Sequence, residues 1–255
     1  MASVGGWLLN DLLKEVFARP RPEVVPHLRQ VMSLSFPSGH ALTSAAVFLT
    51  LGALFVAGIL PGKERPDETI IYTAHHDHIG IGEPDSNGDR IFNGAVDNAT
   101  GTAHIIEQAR AFARAPRTER SVVFLAVGAE EKGLLGSEYH AANPLYPLSK
   151  TVAVLNTDAL GPYGAARNFS ISGQAEVDLL DMLIAEAARQ NRTFTPDPRP
   201  EAGSFFRSDH FPFAKVGVPA ISFTPGNDLR NGGVARGDAL AKEYTAKRYH
   251  QQDDE

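Results

Sequence analysis

The chain contains no cysteine. Disulfides and thiolate metal sites are thereby excluded, so any metal has to rest on imidazole and carboxylate. Basic charge is also short: 24 Lys and Arg face 30 Asp and Glu, for a formal charge of -6 and a pI near 5.8. Nucleic-acid-binding proteins usually carry a basic balance, so nucleic acid is not the expected partner. The N-terminal stretch MASVGGWLLNDLLKEVF has no basic segment ahead of its apolar residues and carries Asp11 and Glu15 among them, so it does not read as a secretory signal. Internal repeats and low-complexity tracts are absent. What remains is an ordinary globular composition, 43% hydrophobic and 21% charged over 255 residues. That is enough for one large domain or two small ones with a sizeable core.

The first sixty residues differ from the rest. Trp7, Leu8, Leu9, Leu12, Leu13, Val16 and Phe17 recur at helical spacing and predict a short helix ended by Pro20 and Pro22. After a basic, Pro-containing loop comes an uncharged run over 41–60. Such a run is long enough to span a bilayer. Its Ala, Ser and Thr content equally suits a helix buried in a protein core, and its tail at 56–60 also suits a strand before the Pro61-Gly62 turn. The charged turn at 61–68 marks a change of composition, and the domain boundary is expected at 59/60.

Beyond that turn strands and helices alternate. Strands are expected at 69–74, 121–127, 151–156, 169–172 and 219–223, and helices at 102–115, 133–142 and 175–190. The first helix repeats Ile105, Ile106, Ala109, Phe112 and Ala113 on one face. Alternating β and α predicts an α/β fold with a doubly wound, mostly parallel sheet flanked by helices.

Polar chemistry collects where these strands run out. His75-His76-Asp77 follows the first; alternate residues of an extended segment share a face, so His75 and Asp77 point together. Asp97 precedes a helix, where a helix N-cap is the ordinary explanation. Glu130-Glu131 follows the apolar run 122–129. Adjacent acids repel unless a cation or solvent relieves them, and a solvated loop is the plain alternative. Asp158 repeats the pattern after 151–156, and Ser208-Asp209-His210 and Tyr249-His250 follow. Carboxyl ends of strands are where α/β sites form. His76, His78, His104 and His140 read as ordinary surface or packing residues.

The motifs A-H-H-D, G-A-V-D-N-A-T-G, A-E-E-K-G-L-L-G-S, N-T-D and Y-H-Q-Q-D-D-E, in this order, resemble the co-catalytic zinc exopeptidase family of bacterial leucyl aminopeptidases and glutamate carboxypeptidases. The resemblance covers about residues 60–255. It implies two Zn²⁺ per chain held by His75, Asp97, Glu131, Asp158 and His250, with Asp97 bridging and a cis peptide bond to Asn98. Glu130 is implied as general base, Asp77 as the group orienting His75, and Asp254 as a support for His250. Asp209 and His210 are implied near the substrate, which would be a peptide. The family usually continues past the last His, so this chain is expected to be truncated there and His250 to fray.

Residues 14–22 and 37–40 resemble the first two signature motifs of the type 2 phosphatidic acid phosphatases. That resemblance implies phosphate contacts from Lys14, Arg21, Ser38 and His40. The third motif, which supplies the nucleophilic His, has no match, so phosphatase turnover is not expected. The alternatives to a peptidase are therefore a lipid-phosphate phosphatase fragment or a metal-binding chimera without turnover. Membrane association through 41–60, or export, is expected rather than a cytoplasmic location.

Overall fold

An apolar run becomes a central strand when both its faces can be covered. Arg120–Val127, RSVVFLAV, is buried along nearly its whole length and forms strand β5 of a seven-stranded mixed sheet. The computed structural model of the chain describes residues 55–255. Within them the strands are β1 (Phe55–Leu60), β2 (Arg65–His75), β3 (Gly80–Ile81), β4 (Ile91–Phe92), β5, β6 (Thr151–Asn156), β7 (Asn168–Ile171), β8 (Thr193–Phe194) and β9 (Ala220–Pro225). The helices are α1 (Thr100–Arg114), α2 (Leu135–Ala142), α3 (Asp178–Arg189), α4 (Phe211–Lys215) and α5 (Gly233–Lys247).

The sheet order is β1-β5-β2-β6-β9-β7-β8, with β3 and β4 pairing apart as a small antiparallel ribbon. The four central strands β5, β2, β6 and β9 are parallel, while β1 and β7 join antiparallel. Chain order reverses at β2, which lies between β5 and β6. In open α/β sheets such a switch point opens a crevice beyond the carboxyl ends of the strands.

The two sheet faces fill differently. Ile71, Val123, Leu125, Val127 and Val154 pack with Phe213 of α4 on one side. Ala74, Val122 and Phe124 receive Ile105, Ala109 and Phe112 of α1 on the other, an i, i+4, i+7 stripe. Fully burying a Val, Leu, Ile or Phe side chain in these layers contributes about 1.5–3 kcal/mol. Phe169, Ile171 and Ile221 are covered by Leu179, Leu180, Leu183 and Ile184 of α3.

The expected doubly wound, mostly parallel sheet is the architecture found. Of the alternatives open for the tail of the apolar run 41–60, the strand is the one found: residues 55–60 form β1. β1 hydrogen-bonds along β5 from Phe55↔Val127 to Leu60↔Val122, so a boundary at 59/60 would cut a paired strand. The compact unit built on this sheet begins at Leu54. Among the described residues no helix is long and apolar enough to cross a membrane. The predicted helix at 7–17, the remainder of the apolar run, and Lys14, Arg21, Ser38 and His40 lie outside the described residues.

Candidate metal centre

β2 ends at His75, whose side chain is 1% exposed. The pleat that sends Ile71 into one core layer and Tyr72 into the other turns the ring toward the crevice. Its Nε2 lies 3.1 Å from Asp97 Oδ1 and 3.1 Å from Asp158 Oδ1. Its Nδ1 is 3.0 Å from the Asp77 carbonyl oxygen but 3.9 Å from the Asp77 carboxylate. The ring is therefore oriented by the Asp77 main chain, while the Asp77 carboxylate accepts the Glu130 N–H at 3.3 Å.

Asp97 sits in a buried turn, Ala95–Ala99, joined to Asn98 by a cis peptide bond. Its helix-cap explanation does not apply, since the side chain that accepts a first-turn N–H of α1 is that of Asn98, which takes the Gly101 N–H at 2.9 Å. Asn98 fixes the turn to the β6 loop: its amide donates to the Thr157 carbonyl at 3.0 Å, and its Oδ1 accepts the N–H groups of Gly101 and Ala159. Gly101 packs so closely against the Asn98 side chain and the Thr157 carbonyl that a Cβ there has no room. Thr100 and Thr102 add bonds to Val96 O at 2.7 Å and His75 O at 3.0 Å.

The turn is also gripped from the far end of the sequence. Asp254, fully buried, accepts the N–H groups of Val96 and Asp97 at 3.1 Å each and receives the Tyr244 hydroxyl at 3.2 Å. The expectation that Asp254 supports His250 is thus replaced by a different role, holding the Asp97 main chain. Gln252 donates to the Glu83 carbonyl and Asn93 to the Gln252 carbonyl, so the segment expected to fray is bonded to the β3–β4 ribbon region.

On the other side of Asp97 stand Glu131, His250 and His78. His250 Nε2 is 3.4 Å from Asp97 Oδ2 and 3.2 Å from Glu131 Oε2. His78 Nδ1 is 2.7 Å from Glu131 Oε1. His78 is therefore not an ordinary surface or packing histidine, and its place in the cluster was missed from sequence, where one His among three in the segment 75–78 carries no periodic signal. Among the described residues two groups could hold a metal ion: His75, Asp97 and Asp158, and His78, Asp97 and Glu131.

The protonation balance shows that positive charge belongs there. Burial alone would pull the His75 imidazole down, but Asp158 and Asp97 outweigh it and push it up to about 12. Its Nδ1–H faces a carbonyl, so a neutral ring would aim the Nε2 lone pair at two carboxylates; a cation at that point resolves the clash. Burial lifts the Glu130 carboxyl to about 9, and burial with the Asp97 charge lifts Glu131. Burial also raises Asp158, but the His75 bond and charge carry it below the usual range. Glu131 Oε1 and both His78 nitrogens are buried without a hydrogen-bond partner. The residues present fit a pair of divalent cations with imidazole and oxygen ligands.

Behind Asp158 runs a polar relay. Ser208 donates to Asp158 Oδ2 at 2.9 Å, and Asn156 donates to Ser208 and Ser222. The next two residues turn away. Asp209 and His210 are buried beneath the site and absent from the wall of the crevice, which corrects the expectation that they approach substrate. Asp209 accepts the Ser137 hydroxyl at 2.6 Å, and burial raises its carboxyl to about 7. His210 packs edge-on to Phe205 and burial lowers it to about 4. The crevice itself is about 580 Å³, lined by Glu130, Glu131, Phe206, Arg207, Phe211 and Tyr249 among others.

Residues 56–255 match the sequence profile of peptidase family M28, and residues 2–61 match the PAP2 superfamily. A probable zinc metalloprotease of Leptosphaeria maculans is 29% identical over 204 residues, 68% of this chain and 46% of that protein. The aminopeptidase YwaD of Bacillus subtilis is 28% identical over 180 residues, 68% of this chain and 35% of that protein. The crystal structure of a zinc aminopeptidase from Bacillus subtilis superposes with a TM-score of 0.52 at 23% identity, covering 75% of this chain and 50% of that one, a likeness of fold. The chain thus spans half or less of the length of these relatives. With its profile matched over 56–255, the chain belongs to peptidase family M28.

Proposed function

We propose that residues 56–255 form a zinc-dependent exopeptidase unit that hydrolyses N-terminal residues from peptides. The observation that carries this reading is the convergence on Asp97: His75 and Asp158 face one of its oxygens, and Glu131 and His250 the other side. One cation would rest on His75, Asp97 and Asp158, and a second on Asp97, Glu131 and His250. Zinc, when bound, supplies Lewis acidity that polarises a scissile carbonyl and acidifies water. The chain's own residues do the rest. Glu130 is the general base; its carboxyl, raised to about 9 by burial, has a high proton affinity and can pass a proton to a leaving amine. Asp77 holds both ends of this arrangement, its carbonyl on His75 and its carboxylate on the Glu130 main chain. The acid-rich crevice favours a substrate's protonated α-amine, and Phe206, Phe211 and Tyr249 provide apolar surface for a side chain.

The test is zinc content together with hydrolysis of aminoacyl anilides by the full chain, with Glu130→Gln as control. Fewer than one zinc per chain, or activity unchanged in Glu130→Gln, would sink the reading. The match over residues 2–61 motivates a second one, a lipid-phosphate phosphatase fragment in which Lys14, Arg21, Ser38 and His40 contact phosphate. Phosphate release abolished by His40→Ala would favour it. Membrane association through residues 41–60 goes with this second reading and export with the peptidase reading, and cell fractionation tests both.

A further inference from the structure

Resting on the two-cation reading, we propose that His78 is a direct protein donor to the cation held between Asp97 and Glu131, so that this position is closed by two imidazoles, His78 and His250. The neighbouring position on His75, Asp97 and Asp158 then has three protein donors and is the more open of the two.

Three observations support this. First, the His78 side chain is 6% exposed, so its ring has no access to bulk water. Second, Nδ1 stands 2.7 Å from Glu131 Oε1, yet neither atom makes a hydrogen bond and both are buried. The pair meets at hydrogen-bonding distance but not in hydrogen-bonding geometry, and the two residues group with Asp97 as a set that could hold an ion. Third, the donors divide Glu131 between them: Oε1 faces His78 and Oε2 faces His250, whose rings meet edge-on at 5.6 Å. Asp97, Glu131 and His78 bring ligand atoms within 4.8 Å of one another, and His250 stands 3.4 Å from Asp97 and 3.2 Å from Glu131, so the proposal draws on four donors, the number preferred by closed zinc sites.

The local chain is shaped for this ring. Gly94, at φ 64, faces the His78 ring so closely that a Cβ would collide with its Cβ and Cγ. The two imidazoles differ in setting: His250 is 36% exposed at the mouth, whereas His78 closes the inner side.

The experiment titrates zinc into the metal-free full chain, unaltered and as His78→Ala and His250→Ala, following heat and metal content. Two zincs in the unaltered chain, with His78→Ala keeping one site and weakening the second about tenfold or more, is the expected result. Two zincs with unchanged affinity in His78→Ala would overturn the assignment and leave the two-cation reading standing. Fewer than two zincs in the unaltered chain would overturn that reading and the assignment with it. Because His78→Ala removes a buried ring and can fail to fold, the unaltered chain loaded with Co²⁺ provides a second measurement. Three strongly shifted, solvent-exchangeable imidazole N–H resonances are expected by proton magnetic resonance, from His75, His250 and His78. Two would mean that His78 only hydrogen-bonds Glu131, and would overturn the assignment.

Discussion

The Asp254 carboxylate accepts the backbone N–H of Asp97 at 3.1 Å, across 157 residues of sequence, and through its other oxygen that of Val96. The last residues of the chain thereby hold the turn on which both halves of the site depend. Asp254→Ala leaves two buried N–H donors without an acceptor, at about 1–3 kcal/mol each. A loss of about 2 kcal/mol or more is expected, read as a lower denaturant midpoint with an unchanged slope. Asp254→Asn, which keeps one acceptor oxygen, should fall between. A change below about 0.5 kcal/mol for the Ala variant, the range of ordinary surface substitutions, would show that the tether contributes little.

Ser208 is predicted to act on metal retention through Asp158. Its hydroxyl donates to Asp158 Oδ2 and accepts from Asn156. Ser208→Ala frees one carboxylate oxygen of its partner and lets the side chain turn. Supports of this kind change metal affinity by about 10–100-fold. Zinc affinity at the His75 cluster should fall by that amount in competition with a chelator, while the sites around Glu131 stay as they were. Equal losses at both positions would point instead to a general loosening of the fold.

What was legible in the sequence follows from what leaves a local pattern. The apolar runs at 121–127 and 151–156 announced central strands, and the acids at their ends announced where the chemistry collects, because a parallel strand must end in the crevice that its neighbours share. His75, Glu131 and Asp158 fall together for that reason, while Asp97 and His250 reach the same crevice from the turn before α1 and from beyond the end of α5. The Asp254 tether left no such mark, since its partners are main-chain N–H groups distant in sequence. Helix α5 was missed because its only buried residue is Gly237, so no apolar stripe reveals it. Asp209 and His210 looked functional as a polar pair, but their neighbours Ser137 and Phe205 come from elsewhere in the chain and enclose them. Strand β1 was disguised by continuity: Phe55–Leu60 extends an uncharged run, and only the pairing partner β5 decides its conformation.

Glu130 and Glu131 are adjacent, and their predicted effects differ. Glu130→Gln keeps the shape and removes the proton acceptor, so zinc content should stay unchanged while kcat falls about 10²–10⁴-fold. Glu131→Gln removes charge beside Asp97 and His250, so zinc content should fall as well. Metal analysis and anilide hydrolysis on both variants separate the roles. Loss of zinc in Glu130→Gln would assign Glu130 to metal binding rather than proton transfer.

His140 gives a prediction about stability that is independent of the site. It lies on α2, 1% exposed, packed against Phe55 and Phe213, and neither ring nitrogen has a hydrogen-bond partner. Burial lowers its imidazole from 6.5 to about 4. Between those values the unfolded chain binds a proton that the folded chain refuses, so the group's contribution is complete above 6.5 and is lost as pH falls toward 4. The slope approaches about 1.4 kcal/mol per pH unit within that window. Asp209, raised from 3.8 to about 7 by burial, works in the opposite direction over the whole of that range, because it favours the protonated form in the fold. The informative quantity is therefore the difference between the unaltered chain and His140→Phe, measured by denaturant unfolding from pH 4 to 7.5. The Phe variant should gain relative stability as pH falls below 6.5, and the difference should be flat above it. A difference that is flat throughout would mean that His140 titrates alike in the folded and unfolded chains, and that the ring between Phe55 and Phe213 has access to water.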